Sequence, residues 1–238
     1  LQEVLESIAA RVDASKHPLL APRDEERNVV VVVVTADKGL AGAFNANAIK
    51  AAMNLIRERQ WQNVQILPLG RKGNDFFKRR TLTVRKHATH VLQALSLETA
   101  HEISTSLANE YVSGEIDAVY VVYNEFRSII SQVVHVERLL PIQREEEREQ
   151  TDSVEYLFEP SPEEILNELL PRHIEFQLYR ILLESAAAEQ GARMTAMEAA
   201  TKNASDMIDH LTLTYNRIRQ AAITKEIIEI VSGAAAQK

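Results

Sequence analysis

From Glu163 to Ser232 the sequence carries a helical pattern with no firm stop signal. At 1.5 Å per residue, about 70 residues span on the order of 100 Å. Ordinary globular helices run about 8–20 residues, so this stretch reads as a stalk or a coiled coil. Two softer points lie within it. Pro171 removes a helix hydrogen bond and is expected to kink the first turns, and Gly191 costs about 1 kcal/mol relative to alanine. Met197, Ala200, Ala204, Met207, Leu211, Tyr215, Ile218 and Ala222 recur at three- and four-residue steps, between polar flanks at Lys202, Asp206, Asp209, Arg217 and Arg219. A seam of this kind needs cover along its whole length. A single sheet cannot supply it, so an antiparallel partner helix or a sleeve of other subunits is expected.

The first half follows another period. Leu1–Ala14 has Leu1, Val4, Leu5, Ile8 and Val12 at helical spacing, and the prolines at 18 and 22 end it. Asn28–Thr35 holds six valines in a row, which suits a strand buried on both faces. A helix is expected over Asn45–Gln60, with strands at Val64–Leu69 and, more weakly, Thr81–Lys86. Ser96 is placed to cap a helix whose stripe is Ala100, Ile103, Leu107 and Tyr111. Ile116–Tyr123 reads as a strand, with Ile129–Arg138 pairing beside it. Alternating strands and helices imply an α/β fold with an open, mostly parallel sheet flanked by helices. Gln143–Asp152 (QREEEREQTD) has no apolar residue and reads as a solvated linker. The division expected is a stalk-helix remnant at 1–16, a sheet domain at 24–142, a charged linker at 143–160 and the long helix at 161–238.

Composition narrows the function. The formal net charge is −7, which offers no bulk attraction to nucleic acid or an anionic membrane surface. Cysteine is absent, so disulfides, thiolate metal sites and thiol catalysis are excluded. The longest aliphatic run, Val29–Val34, is far short of the 18–20 or so residues that cross a bilayer. The chain opens at Leu1 rather than Met, as a fragment or trimmed chain does.

No catalytic, cofactor-binding or metal-ligating set emerges. The loop DKGLAGAFN after the first strand sits where a dinucleotide fold holds phosphates, but G-x-G-x-x-G and the P-loop Lys-Ser/Thr pair are missing, and Asp37 would oppose a phosphate. It reads as a structural turn. His87 and His90 lack partners for a metal site and read as solvated; His173 and His210 read as surface residues. Arg71, Lys72, Lys78, Arg79, Arg80, Arg85 and Lys86 form a basic patch that either meets an acidic partner or is a solvated face.

The C-terminal segment Ile223-Thr224-Lys225-Glu226-Ile227-Ile228-Glu229-Ile230-Val231-Ser232-Gly233-Ala234-Ala235-Ala236 resembles the terminal signature of ATP synthase gamma subunits. EQGARMTAM from Glu189, YNRIRQA from Tyr215 and the loop DKGLAGAFN resemble the same family, and the resemblance covers essentially the whole chain. It implies a non-catalytic central rotor without a cofactor, coupling proton movement through a membrane ring to ATP synthesis or hydrolysis. Its implied partners are the alpha and beta subunits of the catalytic hexamer, the epsilon subunit and the ring, with no nucleic acid and no direct membrane insertion. The implied location is the cytoplasmic face of the bacterial plasma membrane, or its organellar equivalent. Arg219, Gln220, Thr224 and Glu226 are implied to face beta-subunit loops, and Ile223, Glu229, Gly233 and Ala234 to form the shaft tip. The family's long N-terminal helix pairs antiparallel with the C-terminal one, and Leu1–Ala14 matches only its last turns. The competing reading is a nucleotide-binding α/β regulatory domain with a coiled-coil dimerisation arm.

Overall fold

The structure is a computed structural model describing residues 17–21, 23, 25–86, 88–142 and 161–235. His87, the Leu1–Ala14 helix and the Gln143–Asp152 charge run lie outside the described residues. Two compact units divide the chain, Leu1–Thr195 and Ala196–Lys238.

The first unit is built on five strands: β1 (Asn28–Val34), β2 (Asn63–Leu69), β3 (Thr83–Val84), β4 (Ala118–Ser128) and β5 (Ser131–Leu140), in the spatial order β3-β2-β1-β4-β5. β1 pairs in parallel with β2 and β4, and β2 with β3, whereas β5 returns antiparallel beside β4. The valine run occupies the centre: Val31 stands between Ile66 and Tyr120 in register. Alternation then sends Val29, Val31 and Val33 to one face and Val30, Val32 and Val34 to the other.

Each face has its own cover. Helices α1 (Phe44–Arg59) and α2 (Arg71–Phe77) bury Ala48, Ala52 and Phe77 against the odd-numbered valines. On the opposite face lie α3 (Leu97–Ser113) and the first half of α4 (Pro162–Ala235). Ser96 caps α3 as expected, its hydroxyl accepting from the Thr99 N–H at 3.1 Å. From Leu166 to Ala192, α4 buries Leu170, Ile174, Leu178 and Leu182 at four-residue steps, so this part of the helix belongs to the sheet's core. The helix continues through Pro171, which is exposed.

Three elements depart from the sequence expectation. β3 shrinks to two residues because β2 offers it only Gln65 and Ile66 in register. β4 runs on to Ser128 through the polar residues Asn124, Glu125 and Arg127. Asn124 can be buried because its amide donates to the Phe44 carbonyl at 3.2 Å. His173 is half-buried rather than a surface residue, whereas His210 is exposed.

Candidate partner-contact surface

In the second unit every described side chain from Met197 to Val231 is exposed except Asn216, which is half-buried. The helical period sorts them into rows. Met207, Leu211, Tyr215, Ile218 and Ala222 make the seam. Leu213 lies on another side of the helix, in a row that continues through Gln220, Thr224, Ile227 and Val231. Arg219, Ile223, Glu226 and Ile230 form the row beside that one. The apolar stripe therefore changes face near Ala222, a shift the seam alone does not disclose. Arg219, Gln220, Thr224 and Glu226 come together on these two adjacent rows. Ile223 falls among them, while Glu229 lies on the far side.

Their own bonds define what each offers. The Thr224 hydroxyl donates to the Gln220 carbonyl at 2.8 Å, which leaves its lone pairs as acceptors. Glu229 approaches Lys225 at 3.6 Å, an exposed pair worth little. No atom lies within 4 Å of where a Cβ on Gly233 would stand, so nothing in this chain's packing requires that glycine. Ala234 lies in the last turns of α4.

The first unit turns its loop polar groups inward. Asp37 is buried, and its two carboxylate oxygens accept from the backbone N–H groups of Arg71 and His90, each at 2.9 Å. Asn45 accepts from the Ala36 N–H at 2.8 Å. The loop DKGLAGAFN is therefore stitched to the starts of two neighbouring segments, and His90 takes part through its backbone. Among the described residues no group of three or more His, Asp or Glu is arranged to hold a metal.

A second constellation was not anticipated from sequence. Arg180 on α4 donates through Nη2 to both Glu137 oxygens at 2.7 Å and through Nη1 to Glu184 at 2.9 Å. The Tyr123 hydroxyl donates to Glu137 at 3.0 Å. Burial, reinforced by the Glu137 charge, pushes the Tyr123 phenol up to about 12, so it keeps its proton. About two turns of helix after Glu184, Gly191 passes so close to the β4–β5 turn that a Cβ would sit 3.3 Å from the Ile129 carbonyl, the Gln132 amide and the Phe126 ring. Thr195 then donates to the same Ile129 carbonyl at 3.1 Å. Gly191 is thus a close-approach residue rather than a soft point. The i, i+4 spacing of Arg180 and Glu184 was the only sequence signal of the clasp; its partners on β4 and β5 are distant in sequence.

A family model described as ATP synthase matches residues 1–237. The ATP synthase gamma chain of Anaeromyxobacter sp. (strain Fw109-5) is 50% identical, over 100% of this chain and 83% of that protein. The chain belongs to the ATP synthase gamma-chain family. The gamma chain of Chlorobaculum tepidum is 48% identical over the same shares. Among solved structures, a chain of the Euglena gracilis mitochondrial ATP synthase, OSCP/F1/c-ring, rotational state 3, matches 98% of this chain and 84% of its own length with a TM-score of 0.70 at 19% identity. A chain of the Tetrahymena thermophila mitochondrial ATP synthase central stalk/c-ring matches 83% and 86%, with a TM-score of 0.64 at 24% identity. Both share the gamma fold, a mostly parallel five-stranded sheet followed by a long C-terminal helix.

Proposed function

We propose that this gamma chain is the rotating shaft of an ATP synthase, coupling proton translocation through a membrane ring to ATP synthesis or hydrolysis in an alpha/beta hexamer. The observation that carries this reading is the stretch from Met197 to Val231, whose apolar side chains are exposed on more than one side of the helix. Covering each such side chain is worth about 1.5–3 kcal/mol. One partner helix can cover the Met207–Ala222 seam but not also the row of Leu213, Ile227 and Val231. A sleeve formed by several subunits can cover both.

The polar residues on those rows would read the shaft's orientation. Arg219 and Gln220 bring donors, Thr224 and Glu226 acceptors, and beta-subunit loops are their proposed partners. Ile223, Glu229, Gly233 and Ala234 form the tip. Because the helix is asymmetric around its axis, each orientation presents different contacts to each surrounding subunit. A ligand or partner shifts a conformational equilibrium only by its differential affinity for the states. Rotation would therefore change nucleotide affinity one site at a time, with the gamma chain itself non-catalytic.

In this reading residues 24–142 form the foot near the ring and the epsilon subunit. Residues 143–160 would link the foot to the shaft at 161–238, with 1–16 a remnant of the family's N-terminal stalk helix. The bacterial relatives support a peripheral position at the cytoplasmic face of the plasma membrane. No described helix is long and apolar enough to cross a membrane. The nucleotide-sensing alternative is disfavoured by Asp37 and Asn45, whose side chains are spent on backbone N–H groups.

The test is the triple variant Gln220→Ala/Thr224→Ala/Glu226→Ala in the assembled enzyme. Proton-driven ATP synthesis is expected to fall by an order of magnitude or more, since polar interface contacts are worth about 1–3 kcal/mol each. The isolated variant should keep its helicity and unfolding midpoint. Unchanged coupled turnover would remove the assignment of these positions. ATP hydrolysis by the isolated chain, abolished by changing a residue of the 37–45 loop, would overturn the rotor reading itself.

A further inference from the structure

The basic patch read from the sequence separates into two parts. Arg85 is engaged: it forms an ion pair with Glu110 on α3. Lys86 follows Arg85 after β3, and the other five lie on and just after α2. Arg71–Arg80 carries five cations against the single carboxylate of Asp75, in a chain whose formal net charge is −7. Lys72, Asp75, Phe76, Arg79 and Arg80 line an open cleft of about 590 Å³. That volume lies within the roughly 300–1,000 Å³ usual for ligand clefts.

The local fold explains the arrangement. Gly73, Asn74 and Phe77 are buried beneath α2, and Phe77 anchors it in the core against Ile66. A helical period then turns Lys72, Asp75, Phe76 and Arg79 outward together. After α2 the chain keeps turning, because the N–H groups of Lys78 and Arg80 donate to the carbonyls of Asn74 and Phe77, each at 3.0 Å. This places Arg80 with its guanidinium carbon 4.9 Å from the centre of the Phe76 ring. Arg71 is drawn instead toward Asp75, at 4.0 Å in an exposed pair. Among the described residues Lys72, Arg79 and Arg80 form no ion pair within the chain.

We propose that this cleft is a docking site for a carboxylate-rich segment of a neighbouring protein chain. Two guanidinium forks and an ammonium suit carboxylates, which Arg binds in a bidentate manner. The Phe76 ring supplies an apolar wall for the aliphatic part of an acidic side chain, stiffened by the Arg80 guanidinium above it. Asp75 in the lining opposes a free phosphate but can accept from the backbone N–H groups that a peptide brings. The net charge of the whole chain, −7, disfavours approach to an anionic bilayer. Protein recognition therefore accounts for every lining residue.

The full chain tests this with a fluorescein-labelled peptide of alternating glutamate and leucine, against the same peptide with glutamine for glutamate. Binding of the glutamate peptide alone is expected, weakening as salt is raised. Lys72→Gln/Arg79→Gln/Arg80→Gln should lower its affinity about tenfold, the sum of three partly exposed ion pairs. Lys202→Gln/Arg217→Gln, in the second unit, should leave it unchanged. Equal affinity in the wild-type chain and the triple variant would overturn the site. So would displacement of the peptide by inorganic phosphate, which marks a free-anion site. Co-sedimentation with phosphatidylglycerol–phosphatidylcholine vesicles that the triple variant loses would assign the cleft to a membrane instead. Should the variant fold poorly, carbodiimide coupling of the assembled enzyme decides. An isopeptide bond from Lys72 to a carboxylate of another subunit supports the proposal, and coupling of other lysines but never Lys72 contradicts it. Because peptide binding is read on the chain alone, its result is independent of rotor coupling.

Discussion

From Leu166 to Ala192, helix α4 is held by the sheet; from Met197 to Val231, nothing in its own compact unit holds it. Leu178 is 0% exposed and Leu211 58%, although both are leucines in one regular helix. In the first stretch, burial and the Arg180 clasp decide the conformation. In the second, helix propensity alone acts within the described residues of its own unit, and isolated helices gain little without packing their apolar face. The contrast teaches that an unbroken helical pattern does not measure how stability is distributed along it. The unpacked stretch is also where the family signature and the proposed contact rows lie, and low local stability is common in segments that bind partners.

The sharpest way to break this contrast is a matched pair of truncations. Leu178→Ala should destabilise the isolated chain by about 3 kcal/mol, as core leucine deletions do. Leu211→Ala should cost less than about 0.5 kcal/mol. Urea unfolding followed by circular dichroism measures both, and equal losses would mean that the second stretch is covered after all.

A smaller effect is expected from Arg180→Ala, which leaves Glu137 and Glu184 without their shared cation. The clasp is partly solvated, with Arg180 41% and Glu137 27% exposed, so a loss of about 1–2 kcal/mol is expected. Raising salt should narrow the gap between wild type and variant. No loss would show that apolar packing alone seats the first stretch.

The smallest effect is a pH slope. Burial holds the half-buried His173 imidazole below its usual titration range, with Glu137 and Arg180 the charged side chains that bear on it. The folded chain thus binds fewer protons than the unfolded one near pH 6.5, so stability is full above that value and falls as the pH drops through it. His17 acts in the same sense: burial lowers it too, and its ring bonds Asn167 at 3.1 Å. His173→Asn should flatten the slope of the urea midpoint between about pH 7.5 and 5.5. An unchanged slope would place His173 in solvent.

Much of this was legible in the sequence where a single local rule decides. Six consecutive valines read as a doubly covered strand, and Ser96 before an apolar stripe reads as a cap. The terminal signature pointed to the family. The Arg180–Glu137–Tyr123 clasp was not legible, because Glu137 and Arg180 meet only after the β4–β5 hairpin folds against α4. Gly191 was misread for the same reason: a helix glycine looks like a weakness until the Ile129 carbonyl is seen 3.3 Å from where its Cβ would be. The half-burial of His173 depends likewise on what covers the start of α4. Sequence proposed Arg219, Gln220, Thr224 and Glu226 as contacts, but the shift of the apolar stripe emerged only when the rows were followed past Ala222.

Amide hydrogen exchange tests the central claim most directly, read along α4 in the isolated chain and again in the assembled enzyme. In the isolated chain, protection should be strong from Leu166 to Ala192 and in β1, and weak from Met197 to Ser232. Assembly with alpha and beta subunits should raise protection in that second stretch alone. Strong protection of both stretches in a verified monomer, or no gain on assembly, would contradict the account.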